Sequence, residues 1–405
     1  MTISQEQSVD VAAIGMDVKP RPSQTIADRF SQIRAPAGFD YLRIILSVAV
    51  LCLHSVATSY GREVEFHWLW GGPFAGFARL VLPMFFALSG FLVAGSIFRA
   101  GTTSGFVLLR ALRLVPALAV EVFLTAVLIG SAFTKLPLGV YLTSRGVLAY
   151  GFNIIGWIHF HLPGVFETNP FNIAVNMSLW TIPFELECYL ALIVLMVTRL
   201  VKVRAAIAAI TVMGCVAFFA YTAMQHGPLP VYRAVEPRLL VLAFLAGVTI
   251  YLYRAEIPLS MPLAVASAAI SIALLYSQPG EYLCAPFVAY TTVWLGMQNP
   301  KKWSVLDSGD YSYGIYLYAF PAQQMVASFP ALRHWYLNIL IALPVSIACA
   351  VFSWHAGDKH VLKYKKALAG VDAPLPRLEN WLVGRLGRGW RPASPDHVDT
   401  PPQKP

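Results

Sequence analysis

The chain has 405 residues, of which 57% are hydrophobic and 13% charged, against roughly 25% charged in soluble domains. That balance excludes a disordered chain and an ordinary soluble domain, and the long apolar runs point to several membrane spans. The formal charge of +9 sits mostly at the ends of those runs, which reads as membrane orientation rather than nucleic-acid binding.

Residues 1–36 are polar, mixed in charge and without the features of a secretory signal, so they read as a mobile cytoplasmic tail. Beyond them, basic clusters mark the cytoplasm: Arg29/Arg34/Arg43, Arg99/Arg110/Arg113, Arg199/Lys202/Arg204, Arg254, Lys301/Lys302 and Lys359/Lys363/Lys365/Lys366. Two crossings between neighbouring clusters give ten spans with both termini inside. They are predicted at 44–58, 77–98, 107–130, 179–197, 205–223, 239–252, 261–276, 282–295, 313–326 and 336–352. A hydrocarbon layer wants about twenty residues per helix. The shorter segments must therefore recruit flanking aromatics or thin the bilayer. Residues 138–157 are apolar but hold Arg145, Asn153 and four glycines, and they read as a broken or re-entrant segment packed inside the bundle. Residues 158–176, with His159, His161 and Glu167, read as an outside loop; further outside loops carry Arg62, Arg233 and Arg333. The expectation is an all-α polytopic membrane domain over 37–368 and a Pro/Gly-rich cytoplasmic tail over 369–405. The cysteines (Cys52, Cys188, Cys215, Cys284, Cys349) all fall in apolar segments without a CxxC spacing. Neither a disulfide nor a metal site is expected.

Polar groups within spans are expensive, so each is a candidate for function. Arg43 and His54 lie eleven residues apart. At about 100° and 1.5 Å per residue they share one helix face, roughly 16 Å apart, too far for contact but suited to two ends of an extended substrate. His54 is the one histidine inside the ten predicted spans, and imidazole suits general-base chemistry. The bland alternative is a boundary histidine bonded to a neighbour. Glu185 and Glu187 point to different faces, with Trp180, Pro183 and Tyr189 around Glu185. Arg79 reads as a snorkelling side chain, and Glu121 as either half of an ion pair or a catalytic group. Arg110 and Arg113 share a face and read either as a phosphate patch or as ordinary positive-inside charge. Gly90 permits close helix approach, with Ser89 free to hydrogen-bond across it. Asp310, Tyr311, Ser312, Tyr313, Tyr316 and Tyr318 form a polar-aromatic band that also fits an interfacial belt.

Taken together these blocks resemble the acyltransferase-3 family of membrane acyltransferases. The opening Phe39-Asp40-Tyr41-Leu42-Arg43, with ten residues before His54, is similar to the family's arginine–histidine signature. Residues 85–91, the basic stretch 110–116, the tryptophan–glutamate block 178–185, Arg238 with 244–247, and the serine–tyrosine block 311–317 follow in order. There are departures. Ala319 stands where many relatives carry a histidine before Phe320-Pro321, Leu186 stands where many carry a second acidic residue, and Trp354-His355-Ala356-Gly357-Asp358 replaces a glutamate–proline pair. Acceptor or donor handling is therefore expected to differ. The esterase-like domain fused in some members is not seen, so transfer is expected to finish in the membrane domain or with a partner.

The resemblance implies an acyl-CoA donor, most often acetyl-CoA, presented from the cytoplasm of a bacterial inner-membrane protein. The acceptor would be a hydroxyl of a cell-surface polysaccharide, a related glycan or a small hydroxylated molecule. Arg43, Arg110 and Arg113 are expected to hold the donor, with His54 and Glu185 catalytic. Asp40, Ser89, Trp180, Arg238, Ser312, Tyr313 and Tyr316 are candidates for acceptor or oxyanion contacts. Membrane lipid and polysaccharide-biosynthesis proteins are the expected neighbours. Two other readings stay open on the residues alone. One is a glycan or lipid transporter or flippase; the other is a non-catalytic partner of a polysaccharide synthase.

Overall fold

The computed structural model describes residues 24–33, 36–100, 102–226, 234–303 and 311–355. Arg34, Arg233, Asp310, Ala356, Gly357, Asp358, the Lys359/Lys363/Lys365/Lys366 cluster and most of both tails lie outside the described residues, as does the side chain of Arg99.

Each predicted span is helical. The helices are α1 (Gly38–Tyr60), α2 (Ala75–Ala100), α3 (Thr103–Phe123), α4 (Ile182–Val197), α5 (Arg204–His226), α6 (Pro237–Leu252), α7 (Met261–Leu274), α8 (Ala285–Gly296), α9 (Ser312–Ala327) and α10 (Trp335–Ser353). Thr102 caps α3 by accepting from the Gly105 N–H, and α3 runs on through a π-helical stretch, Leu124–Ile129, to Phe133. Prolines open α4, α6, α7 and α8, where the missing N–H costs no helical bond. Among the described residues six stretches are long and apolar enough to cross a membrane: Gly38–Tyr60, Ala75–Ile97, Thr103–Phe133, Met177–Val197, Arg204–Gln225 and Trp335–Ser353. The protein is thus an all-α, multi-pass membrane protein. Ten crossings exceed what length and composition establish, because α6 to α9 are short. For α9 the reason is its position. Fourteen of its sixteen residues are buried, so it faces protein rather than lipid and tolerates Gln323 and Gln324.

α2 and α6 form the tightest seam. A Cβ on Gly90 would stand 2.0 Å from the Phe244 carbonyl oxygen, and one on Gly247 would stand 2.1 Å from that of Ala87. Backbones this close are possible only without side chains. Near the other end of α2, Arg79 is 1% exposed. It donates to the carbonyls of Trp70 (2.5 Å), Leu275 (3.0 Å) and Ala234 (3.2 Å). It therefore does not snorkel. It satisfies carbonyls that helix ends and connections leave open.

Two further expectations are corrected. The 138–157 stretch is broken, into Leu138–Leu142, Arg145–Gly151 and Phe152–Ile155, but it is not enclosed by the bundle. Tyr141, Tyr150 and Asn153 point inward, while Leu138, Val140, Leu148, Ile155 and Trp157 are exposed. The end of the N-terminal tail is ordered. Ile26–Gln32 forms a helix opened by a capping box between Thr25 and Asp28, whose carboxyl is held below the usual range by the Thr25 backbone N–H and hydroxyl.

Glu121 is fully buried and meets neutral partners. It accepts from Thr125 Oγ1 and Asn176 Nδ2, each at 2.8 Å, and Asn176 also donates to the Leu317 carbonyl at 2.9 Å. This ties α3 and α9 to the strap before α4 by hydrogen bonds in place of the expected ion pair. On the opposite side of that strap, Gln324 donates to the Phe171 and Ala174 carbonyls at 2.6 and 2.7 Å. The five cysteines are free thiols.

Candidate functional site

Where α1, α2, α3, α4 and α9 converge, they enclose a cavity of about 790 Å³. Nine of the predicted site residues line it: Asp40, Arg43, Ser89, Arg110, Arg113, Glu185, Ser312, Tyr313 and Tyr316. Each is there for a local reason. The Ser47 hydroxyl donates to the carbonyls of Arg43 (2.9 Å) and Ser312 (2.8 Å), which pins the first turn of α9 to α1. Ser89 is carried in beside Gly90 by the α2–α6 seam. Arg110 and Arg113 reach the cavity from the same face of α3.

Glu185 is the charge counterweight. Its Oε1 accepts from the Tyr189 hydroxyl at 2.5 Å, one turn on, and its carboxylate lies within electrostatic reach of Arg113, Arg110 and Arg43. The Arg110 guanidinium stands 5.8 Å from the Phe106 ring centre and 6.0 Å from that of Tyr189. Arg110 Nε and the Tyr313 hydroxyl are buried with no hydrogen-bond partner among the described residues. Such groups cost free energy unless a ligand or water meets them. Arg43, Arg110 and Arg113, with the Glu185 carboxylate and the two unsatisfied donors, suit an extended anion with a neutral polar part, and Arg254 is a fourth arginine in the lining. The Asp40 carboxylate is already engaged by Lys302 at 2.9 Å. Among the described residues there is no group of three His, Cys, Asp or Glu fit to hold a metal ion.

His54, Trp180 and Arg238 are not among the lining residues. The half-buried His54 ring stands edge-on to Phe320, with centres 5.1 Å apart. Val50, on the same face of α1 between Arg43 and His54, is 3% exposed and packs in one cluster with Leu179, Ile182, Tyr316 and Leu317. Tyr316 is fixed there by hydrogen bonds to Thr181 Oγ1 (2.7 Å) and to the Ser178 carbonyl (2.9 Å). A packed apolar layer thus lies along α1 between the cavity residue Arg43 and the histidine. Trp180 is a packing residue, edge-on to Phe184 at 5.9 Å. Arg238 is turned outward to an exposed ion pair with Glu187.

The sequence reading missed Thr181, Tyr189, Tyr251, Arg254 and Phe30 as cavity residues. Tyr189 was within reach of reasoning, since it lies four residues after Glu185 on one helix. Arg254 served there only as a marker of topology, and Phe30 lay in a segment read as a tail.

The family model for the acyltransferase domain (Acyl_transf_3) matches residues 37–356. The chain is 26% identical over 348 residues to a protein named O-acetyl transferase from Shigella phage Sf6, covering 82% of this chain and 98% of that one. It is 25% identical over 376 residues to nodulation protein 10 of Rhizobium leguminosarum bv. viciae, covering 82% of this chain and 94% of that one. No solved structure matches the chain significantly.

Proposed function

The chain belongs to the acyltransferase-3 family, and from that premise we propose that it moves an acyl group, acetyl by preference, from acyl-CoA to a hydroxyl of a cell-surface polysaccharide or related glycan. The observation that carries this reading is the gathering of Arg43, Arg110, Arg113 and Glu185 around one deep cavity. We place the protein in the bacterial inner membrane, crossing ten times with both termini in the cytoplasm. The cavity then opens to the side where acyl-CoA is made.

In this reading the three arginines hold the donor phosphates, and the unsatisfied Arg110 Nε and Tyr313 hydroxyl gain partners when it binds. The thioester extends toward His54 once the Val50–Tyr316 layer parts. His54 takes the proton of the acceptor hydroxyl as its oxygen attacks the thioester carbonyl. Tyr313 or Ser89 donates to the developing oxyanion. The tetrahedral adduct collapses by breaking the carbon–sulfur bond, and His54 returns its proton to the departing thiolate. Glu185 offsets the positive field of the arginines and orients the donor.

Membranes supplied with acyl-labelled CoA and a glycan acceptor test the reading. Label moves to the acceptor with wild type and falls by roughly 100- to 10,000-fold in His54→Ala, the usual worth of a general base. Undiminished activity in that variant would remove the histidine from the mechanism. Acceptor translocation without thioester consumption would point to a transporter instead.

A further inference from the structure

The cavity also has an aromatic wall built around Phe30, Phe39, Phe91 and Tyr251. The N-terminal helix Ile26–Gln32 is laid along the turn after α6 by backbone hydrogen bonds. They run from Ala27 N to Arg254 O (2.9 Å), Ile26 N to Ile257 O (3.1 Å) and Leu259 N to Gln24 O (2.7 Å). This docking puts Phe30 on the cavity wall, where its ring is nearly parallel to those of Phe39 and Phe91, with centres 6.3 and 5.7 Å away. Tyr251 stands edge-on to Phe91 at 5.5 Å, and the Arg254 guanidinium covers the Tyr251 ring at 4.3 Å. Phe39 and Phe91 are buried, whereas Phe30, Tyr251 and Arg254 are half-buried, and all five line the cavity. Phe30 precedes the 37–356 family match, so this wall comes partly from outside the shared domain.

We propose that this aromatic and cationic surface is the subsite for the purine base of the nucleotide donor, with Phe30 and the Arg254 plane, backed by the Tyr251 ring, offering the stacking faces. The proposal rests on the reading of CoA as donor. Stacking on aromatic rings and on a guanidinium plane is the general way proteins hold a base without reading its edges. A site for phosphates alone needs no such surface, and a site for a lipid tail would not place a guanidinium on it.

The test uses the full-length protein in detergent, with calorimetric titration of CoA and of 4′-phosphopantetheine, which keeps a phosphate but lacks the base. Wild type binds CoA the more tightly. Phe30→Ala, Tyr251→Ala and Arg254→Gln each weaken CoA roughly tenfold and leave phosphopantetheine unchanged, while Phe30→Trp keeps CoA affinity. Equal losses for both ligands, or unaltered CoA binding in all three variants, would overturn the subsite. A wild-type protein that binds the two ligands equally refutes the subsite and leaves the acyl-CoA reading standing. One that binds neither refutes both.

Discussion

Glu185 sets the balance of charge in the cavity. With Arg43, Arg110 and Arg113 around it and Tyr189 fixing one oxygen, its replacement by glutamine keeps the shape and the hydrogen bond but removes the negative charge. Glu185→Gln is expected to leave CoA affinity equal or tighter and to lower turnover by about 100-fold, a split that steady-state kinetics resolves. The double variant Arg110→Ala/Arg113→Ala should act the other way. It should weaken CoA by roughly 10- to 100-fold, at about 1.5–3 kcal/mol for a lost charged hydrogen bond. Outside the spans, burial pushes the half-buried Glu65 carboxyl up to about 7, against smaller lowering effects of Trp70 and Arg62. The folded state therefore holds this proton more tightly than the unfolded chain does, and stability falls as pH rises from 4.5 through 7. Glu65→Gln should raise the melting temperature above pH 7 and leave it unchanged below pH 4.5. At this scale Arg110 and Arg113 were legible because a three-residue spacing puts them on one face of α3, whereas Arg254 was not. Arg79 was misread because its acceptors, Trp70, Ala234 and Leu275, come from three separate connections.

Among the elements, the α2–α6 seam governs the position of Ser89 and the cavity floor. Gly90→Ala or Gly247→Ala would drive a methyl group into a carbonyl oxygen, where overpacking costs about 1–3 kcal/mol or more. Both should show lower thermal midpoints and lower folded yield in detergent. Gly139→Ala serves as the control, since a Cβ there meets nothing within 4 Å. The spans themselves were readable from hydropathy, and Gly90 was readable as a close-approach residue. The course of 138–157 was not, because hydropathy counts apolar groups without saying whether protein or lipid covers them. Composition likewise hid the docked helix Ile26–Gln32, whose order comes from hydrogen bonds to residues more than two hundred positions away.

In the whole molecule, nine candidate residues share one chamber while the histidine stands beyond a packed layer. If that layer must part for transfer, a larger side chain within it separates binding from chemistry. Val50→Phe is expected to keep CoA affinity near wild type while transfer falls at least tenfold, with a lower melting midpoint because the larger ring overpacks the layer. Labelled-acyl assays and titration on the same preparation check it. The common face of Arg43 and His54 was visible in the spacing along α1. The closure was not, because the residues that complete it, Leu179, Tyr316 and Leu317, are brought there by tertiary packing alone.

That closure also bears on the cell's energy supply. A water-filled, arginine-rich chamber open to both faces of a membrane would conduct ions and dissipate the gradient that membrane stores. A buried apolar cluster that holds Val50, Leu179, Tyr316 and Leu317 would interrupt such a path, so a leak is expected only while a substrate parts it.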